Sequence, residues 1–194
     1  MKPAIIIVDM VKDNIDLGSP YAMGEEGRKI IPNLQRLAAF AREKGFPLIF
    51  ASDSYLETDF VFHSRVKPHA ITGTRGAEVI DELKPQDSDI ILPKRRFSAF
   101  FRTDLDFTLR RLEVDTIAVA GVTTEVCVCA TVLDGITNGF RAIFLSDCCA
   151  SYTPEQRDRV LGLYQKSPLR PLLRVMTLAE FTAGCEQKAE SQAQ

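Results

Sequence analysis

The sequence has no tryptophan and only two histidines, His63 and His69, among its 194 residues. No apolar run approaches the roughly 20 residues that a membrane-spanning helix needs. The formal net charge is only −2, so the charge balance gives no reason to expect nucleic acid or an anionic membrane as a partner. We therefore expect one globular domain that binds neither nucleic acid nor a membrane.

The five cysteines lack both the even number of a disulfide framework and the spacing of a structural zinc site. Cys148 and Cys149 are adjacent, which disfavours a structural disulfide between them. Such cysteine usage is typical of a reducing compartment, and we expect the protein to be cytoplasmic.

Apolar, β-branched runs alternate with helical patterns along the chain. The predicted strands cover residues 4–8, 46–51, 89–92, 116–120, 141–145 and 172–177. The predicted helices cover residues 30–44, 77–83, 103–112, 125–138 and 153–164, with capping boxes opening at Thr103 and Thr153. This alternation predicts an α/β fold whose mostly parallel sheet is covered by helices on both faces. Residues 1–183 would form a single domain, and residues 184–194 a polar C-terminal tail that frays.

The segment from Asp115 to Phe140 reads as a buried strand, a tight turn at Gly121 and an amphipathic helix. Thr124 is a suitable N-cap, which places Cys127 in the first helical turn. The free N–H groups and the helix dipole at that position favour a thiolate, the nucleophilic form of cysteine. The alternative is that Cys127 is a small, inert core residue.

Cys129 is the rival nucleophile in the same segment. It lies two residues further on, about 200° around the helix from Cys127, so the two thiols cannot share a face. We expect Cys129 to pack against the sheet or a neighbouring helix.

Several predicted strands end at a residue with useful chemistry: Asp9, Asp53, Lys94, the turn at 121–127 and Asp147. Ligands of open α/β sheets bind at these carboxyl ends. If the strand order brings them together, Lys94 can stabilise a thiolate, and Asp9 can accept the thiol proton and deliver it to a leaving amine. Backbone N–H groups at the helix start can stabilise a tetrahedral oxyanion.

The motifs then resemble a known family. Asp9 after the first strand, Lys94 after the third and GVTTEVCV at 121–128 resemble the isochorismatase-like cysteine hydrolases, which include nicotinamidases, N-carbamoylsarcosine amidases and isochorismatases. The stretches ITGTRGAEV at 71–79 and KRRFSAF at 94–100 belong to the same match.

This resemblance implies a Rossmann-like three-layer sandwich with about six strands, assembled as a homodimer or homotetramer. It also implies a triad of Asp9, Lys94 and Cys127 that acts through a thioester acyl-enzyme. Finally, it implies a cis peptide between Val122 and Thr123, with the amides of Thr123 and Cys127 forming the oxyanion hole.

The sequence departs from the nicotinamidases at their metal site, which is an Asp-x-His pair plus a later His. Asp53 and His69 match this pattern, but Tyr55 replaces the middle histidine. We therefore expect no required cofactor, with Zn²⁺ or another divalent metal as an optional occupant of an incomplete site. His63 is a substitute ligand in that case, and ordinary loop hydrogen bonding is the alternative for both histidines.

The sequence also departs from the nicotinamidases at the aromatic clamp that holds the pyridine ring. Asn14 and Val66 occupy the matching positions, which argues against nicotinamide as the substrate. Tyr55, Phe97 and Phe100 are further candidates for the pocket wall, with core or loop packing as the alternative.

Because isochorismatases proper lack the nucleophilic cysteine, Cys127 favours amide chemistry over ether chemistry. We expect a hydrolase of small amides or carbamoyl compounds. Two alternatives stay open: a nicotinamidase with an altered ring clamp, and a binding or redox protein that kept the fold and lost turnover.

Overall fold

The structure is a computed structural model that describes residues 2–16 and 18–192, with side chains as far as residue 187. Its centre is one six-stranded sheet in the order β3-β2-β1-β4-β5-β6, and every neighbouring pair is parallel. The strands are β1 (Pro3–Val8), β2 (Leu48–Asp53), β3 (Ile90–Lys94), β4 (Thr116–Val122), β5 (Arg141–Ala150) and β6 (Leu173–Met176). The predicted α/β fold with a mostly parallel sheet is confirmed.

The α-helices alternate with these strands. They are α1 (Lys12–Ile15), α2 (Glu25–Lys29), α3 (Ile31–Glu43), α4 (Leu105–Arg111), α5 (Cys129–Thr137), α6 (Pro154–Gln165) and α7 (Leu178–Gln192). Single turns of 3₁₀-helix lie at Phe60–His63, Arg75–Ala77 and Asp81–Leu83. Within the described ranges, no helix combines the length and the apolar character that crossing a membrane requires.

Strand β1 shows why the fold has three layers. All six of its residues are buried, as a central parallel strand requires, because helices cover both faces of the sheet. Ile5 and Ile7 face a core shared with Leu34 of α3 and Phe181 of α7. The alternate residues face a second core, which contains residues of α4, α5 and α6.

The structure corrects several predicted boundaries. The helix predicted at 77–83 is replaced by the 3₁₀ turns at Arg75–Ala77 and Asp81–Leu83. The capping box predicted at Thr103 is absent: α4 starts at Leu105, and the Thr103 hydroxyl donates to the carbonyl of Ala99 and accepts the N–H of Leu105. The capping box at Thr153 is present as predicted.

The C-terminal segment is helical in the structure. Helix α7 continues to Gln192, so it includes most of the stretch predicted as a polar tail. Cys185 within it is buried against the α3 side of the core. Residues 193 and 194 of the predicted tail lie outside the described residues.

The strand order places the candidate residues together. The chain runs outward from β1 through β2 to β3 and then crosses to β4 on the other side of β1, so the winding direction reverses between β1 and β4. In doubly wound sheets, ligands bind at the carboxyl ends of the strands beside such a reversal. Asp9 follows β1 and Cys127 follows β4, while Asp53 and Lys94 end β2 and β3.

Candidate active site

Lys94 is the centre of a buried charge cluster. Its ammonium lies 2.6 Å from Asp53 Oδ1 and 2.8 Å from Asp9 Oδ2, and it also donates to the carbonyl of Arg96 at 3.1 Å. Burial opposes the charged form, but the two carboxylates raise the pKa of Lys94 well above its ordinary value. Lys94 is therefore a permanent cation that the surrounding acceptors hold in one position.

Asp9 carries a carboxyl group suited to proton transfer near neutral pH. Its Oδ1 accepts the N–H of Asp53 at 2.8 Å, and its backbone carbonyl accepts Asn14 Nδ2 at 3.1 Å. Within the part of the chain that the structure describes, Oδ2 has no hydrogen bond of good geometry besides its ion pair with Lys94. Burial, followed by the charge of Asp53, raises the pKa of Asp9 to about 7, although Lys94 acts in the opposite direction.

A glycine permits the close approach that brings the two strand ends together. A Cβ atom at Gly121 would lie 2.1 Å from the backbone oxygen of Val8, and the residue has a φ of +108°. Both facts require glycine at this position. The turn after β4 can therefore pass directly beside Asp9.

Cys127 lies in that turn, and its sulfur is within 4.8 Å of carboxylate oxygens of both Asp9 and Asp53. Burial raises the pKa of the Cys127 thiol well above its ordinary value, although Lys94 lowers it. This direction is opposite to the one expected from a helix N-terminus, because burial outweighs the favourable charge. In the free protein, Cys127 is therefore a thiol, and a base must remove its proton.

The turn itself differs from the predicted N-cap. The peptide between Val122 and Thr123 is cis, and residues Thr124–Val128 form a turn of π-helix before α5 begins. Thr124 does not cap this helix, since its buried hydroxyl donates to the carbonyl of Ala150 at 3.0 Å. π-Turns of this kind occur frequently at functional sites.

Thr131 connects the nucleophile turn to the segment that follows Lys94. Its hydroxyl donates to the carbonyl of Cys127 at 2.8 Å and accepts the N–H of Ala99 at 3.0 Å. Both bonds are buried, so they hold the two segments in register. Cys129, by contrast, lies within 3.4 Å of the Tyr164 hydroxyl on α6, as expected for a cysteine that packs against a neighbouring helix.

A cavity of about 190 Å³ opens onto Cys127, and we call it the Cys127 cavity. Its lining comprises Asp9, Asn14, Met23, Asp53, Tyr55, Val61, Val66, His69, Phe97, Val122, Thr123, Glu125, Val126, Cys127 and Tyr152. The candidates Asn14, Tyr55, Val66 and Phe97 are therefore part of the wall. Phe100 is not among these lining residues, because its ring is buried in the core 5.9 Å from that of Phe140.

Sequence reasoning missed five residues of this wall: Met23, Val61, Glu125, Val126 and Tyr152. Glu125 lies inside the GVTTEVCV motif, which was a usable signal, and it accepts the Ser151 hydroxyl at 2.5 Å. Tyr152 lies two residues after Ala150, where β5 ends. No pattern in the sequence marked Val61.

The candidate metal ligands do not fit a divalent cation. Asp53 already binds the Lys94 ammonium at 2.6 Å, so a cation there would face a fixed positive charge. His69 Nδ1 lies 2.9 Å from the carbonyl of Lys67, and its ring packs 5.6 Å from that of Tyr55. Among the described residues, the group able to offer three ligands is Asp9, Asp53 and Cys127, which surrounds the same ammonium.

His63 is not placed to complete a metal site. Its ring packs 5.5 Å from that of Phe60, and it lines a neighbouring cavity rather than the one at Cys127. The residues present at Cys127 therefore favour chemistry carried by the protein's own acid, amine and thiol.

The doubly wound parallel sheet gathers an aspartate, a lysine and a cysteine at its carboxyl edge. A family model described as "Isochorismatase domain" matches residues 3–179. The chain belongs to the isochorismatase family.

Similar proteins agree with this assignment. The chain is 31% identical over 174 residues to N-carbamoylsarcosine amidase from an Arthrobacter species. The match covers 84% of the chain but only 62% of the relative, so the chain spans less than two thirds of that enzyme's length. It is 32% identical over 162 residues to a "probable inactive nicotinamidase" of Arabidopsis thaliana, covering 78% of the chain and 82% of the relative. An isochorismatase-like hydrolase structure from Alkaliphilus metalliredigens superposes with a TM-score of 0.86 at 34% identity, covering 95% of the chain and all of that protein.

Proposed function

We propose that the chain hydrolyses small amides or carbamoyl compounds through a thioester on Cys127, releasing ammonia or an amine. One observation carries the proposal: a buried carboxyl group with a pKa of about 7, Asp9, lies beside a buried thiol in a small cavity. An acid or base with a pKa near the working pH is the most effective proton-transfer group. The relative named as an amidase agrees with this class of reaction.

In the first half-reaction, the substrate carbonyl lies against Cys127. Asp9 takes the thiol proton as the sulfur attacks the carbonyl carbon, forming the C–S bond. The negative charge that develops on the carbonyl oxygen is stabilised by the amides of Thr123 and Cys127. Asp9 then returns the proton to the nitrogen, the C–N bond breaks, and ammonia or an amine leaves a thioester behind.

In the second half-reaction, Asp9 takes a proton from a water molecule that attacks the thioester carbonyl. The C–S bond breaks, and Asp9 returns the proton to the sulfur. The product is a carboxylic acid, or a carbamic acid from a carbamoyl compound. Lys94 keeps its proton throughout, because two carboxylates surround it, and its charge stabilises both the transient thiolate and the deprotonated Asp9.

The nicotinamidase alternative finds little support in the cavity wall. The positions expected to clamp a flat ring carry Asn14 and Val66, and the chain has no tryptophan. The non-catalytic alternative has one supporting comparison, the relative described as a probable inactive nicotinamidase. An ordered Asp9–Lys94–Cys127 cluster favours turnover over the non-catalytic alternative.

The test is ammonia release from a panel of aliphatic amides, carbamoyl compounds and nicotinamide. We expect turnover of linear substrates, with little from nicotinamide, and its abolition in Cys127→Ala. Cys129→Ala is the matched control, because that thiol lies two residues away beside Tyr164 and should leave the rate within about twofold. Mass spectrometry should detect the acyl group on Cys127 during turnover.

Three results would contradict the proposal. Full activity in Cys127→Ala would exclude the nucleophile, and turnover of nicotinamide alone would favour the nicotinamidase alternative. Unchanged ligand affinity in Cys127→Ala, with no substrate ever turned over by the wild type, would favour the non-catalytic one.

A further inference from the structure

A second cavity, of about 310 Å³, adjoins the Cys127 cavity. We call it the Phe60 cavity, and its lining is Tyr55, Phe60, Val61, His63, Ser64, Arg95, Arg96 and Phe97. Tyr55, Val61 and Phe97 also line the Cys127 cavity, so one wall serves both spaces. The two cavities are therefore neighbouring compartments at the same edge of the sheet.

The wall of the Phe60 cavity is mainly apolar. The Phe60 side chain is 77% exposed and that of Phe97 is 48% exposed, which leaves uncovered aromatic surface at this point. Isolated exposed apolar residues need no explanation, but apolar side chains that converge on a concave space beside a nucleophile indicate ligand binding.

The two arginines in this wall do not turn it into a strongly charged site. Asp59 is buried and accepts from Arg95 at 2.6 and 3.0 Å and from Arg96 at 3.2 Å. These bonds lower the pKa of Asp59 to about 2, so it stays ionised and compensates part of the arginine charge. The aliphatic parts of both arginine side chains remain available to cover an apolar group.

The Cys127 cavity is smaller, at about 190 Å³, and its wall contains the carboxyl groups of Asp9, Asp53 and Glu125 beside apolar side chains. These carboxyl groups suit the polar amide end of a substrate, and the smaller volume leaves less room for a large substituent. A substrate that places its carbonyl at Cys127 would have to direct a larger substituent elsewhere, and the shared wall leads into the Phe60 cavity.

We propose that the Phe60 cavity is a subsite for an uncharged apolar substituent on the acyl side of the substrate. The preferred substrates are then amides of medium-length aliphatic or aryl-alkyl acids rather than acetamide. This inference rests on the proposed function, which it deepens, since it names the class of acyl group that the enzyme accepts.

The first measurement is kcat/KM for acetamide, propanamide, butanamide and hexanamide. Each methylene transferred from water to an apolar site is worth about a fourfold change in an equilibrium constant. We expect kcat/KM to rise with each added carbon, by on the order of a hundredfold from acetamide to hexanamide. A flat or falling series would overturn the subsite.

Variants of Phe60 locate the effect. Phe60→Ala should reduce the hexanamide-to-acetamide ratio about tenfold, and Phe60→Leu, which keeps an apolar wall, should restore most of it. Phe107→Ala is the matched control, because Phe107 is a similarly exposed phenylalanine on α4, outside both linings. The hexanamide-to-acetamide ratio of kcat/KM in Phe107→Ala should equal that of the wild type. An equal loss in both variants would mean that the preference does not arise in the Phe60 cavity.

A binding measurement separates the subsite from the chemistry. Affinities of the same four amides for Cys127→Ala, measured by ligand-observed NMR, should increase with chain length and lose that dependence in the Cys127→Ala/Phe60→Ala double variant. Affinity that is independent of chain length would refute the subsite even if amides are hydrolysed. Affinity that depends on chain length, with no hydrolysis by the wild type, would refute the proposed function and leave the subsite supported.

Discussion

The ammonium of Lys94 lies closer to Asp53 than to Asp9, at 2.6 Å against 2.8 Å. Asp53 therefore acts on the candidate general base in two ways. It shares the Lys94 ammonium with Asp9, and its own charge raises the pKa of Asp9. The behaviour of the site should thus depend on a residue that does not touch the substrate carbonyl.

Asp53→Asn should shift the pH dependence of activity. The wild-type kcat/KM should rise as pH increases through about 7, because Asp9 must lose its proton before it can accept that of the thiol. Removing the charge of Asp53 lowers the pKa of Asp9, so the rise should move to lower pH by on the order of one pH unit.

The matched control for Asp53→Asn is Asp89→Asn. Asp89 is also a buried partner of a cation, Arg42 at 2.6 Å, but it lies outside the Cys127 cavity. This variant should lose stability without a change in the pH profile. A pH profile that is identical in Asp53→Asn and the wild type would exclude the proposed coupling between the carboxyl groups.

Asp9→Asn should stabilise the fold at alkaline pH while abolishing activity. The folded protein retains the Asp9 proton up to about pH 7, whereas the unfolded carboxyl releases it near 3.8. Between those values the folded state binds more protons, so the unfolding free energy due to Asp9 falls as pH rises. The side-chain amide introduced by Asp9→Asn does not ionise, so the variant does not lose this part of the unfolding free energy as pH rises.

We expect the unfolding free energy of Asp9→Asn to exceed that of the wild type at pH 8 by a few kcal/mol, since one pKa unit corresponds to about 1.4 kcal/mol. The difference should vanish near pH 4. Urea unfolding at both pH values measures it. A variant less stable than the wild type at pH 8 would show that the ion pair with Lys94 outweighs the cost of burying the charge.

Thr131→Val should weaken both the fold and the site. The change removes a second donor to the Cys127 carbonyl and the acceptor for the Ala99 N–H, which is left buried without that partner. We expect a loss of about 1–3 kcal/mol in unfolding free energy, measured by urea titration, together with a lower kcat.

Thr137→Val is the matched control on the same helix. The Thr137 hydroxyl donates to the carbonyl of Leu133 in the same way, but it is exposed. Loss of the Thr137 hydroxyl should lower the unfolding free energy by less than about 0.5 kcal/mol and leave kcat unchanged. Equal effects in the two variants would mean that Thr131 does not position the nucleophile turn.

Activity should be independent of divalent metals. Asp53 is bound to Lys94, and the residue in the position of the missing histidine ligand, Tyr55, is buried against Phe62 and His69. Dialysis against EDTA should leave kcat/KM unchanged, and elemental analysis should find no stoichiometric zinc. Tyr55→His should not create a zinc site, because the ammonium still occupies the Asp53 carboxylate. Stoichiometric zinc with loss of activity on chelation would contradict the placement of Lys94.

The alternation of strands and helices along the chain and the candidates Asp9, Lys94 and Cys127 could be predicted from the sequence. Short apolar runs identify buried parallel strands, and Asp9, Lys94 and the cysteine turn follow such runs directly. Boundaries were less accurate. Strand β5 continues to Ala150 because its pairing with β4 shifts register between Val119 and Gly121, which no local pattern reveals.

Side-chain surroundings could not be predicted in the same way. Phe97 and Phe100 are three residues apart in one motif, yet Phe97 lines both cavities while Phe100 packs in the core beside Phe140. Sequence alone gives no basis for choosing between them, since the choice depends on which elements pack against that segment.

The alternation of strands and helices, the chain positions of Asp9, Lys94 and Cys127, and the family follow from the sequence alone, because they depend on local periodicity and on residues that end strands. The protonation of the site and the shape of its cavities depend on the tertiary structure. The pKa of a thiol depends on how much water its neighbours exclude and on charges several ångströms away. Residues from distant parts of the chain supply both, and for Cys127 their burial outweighs the effect of its own helix.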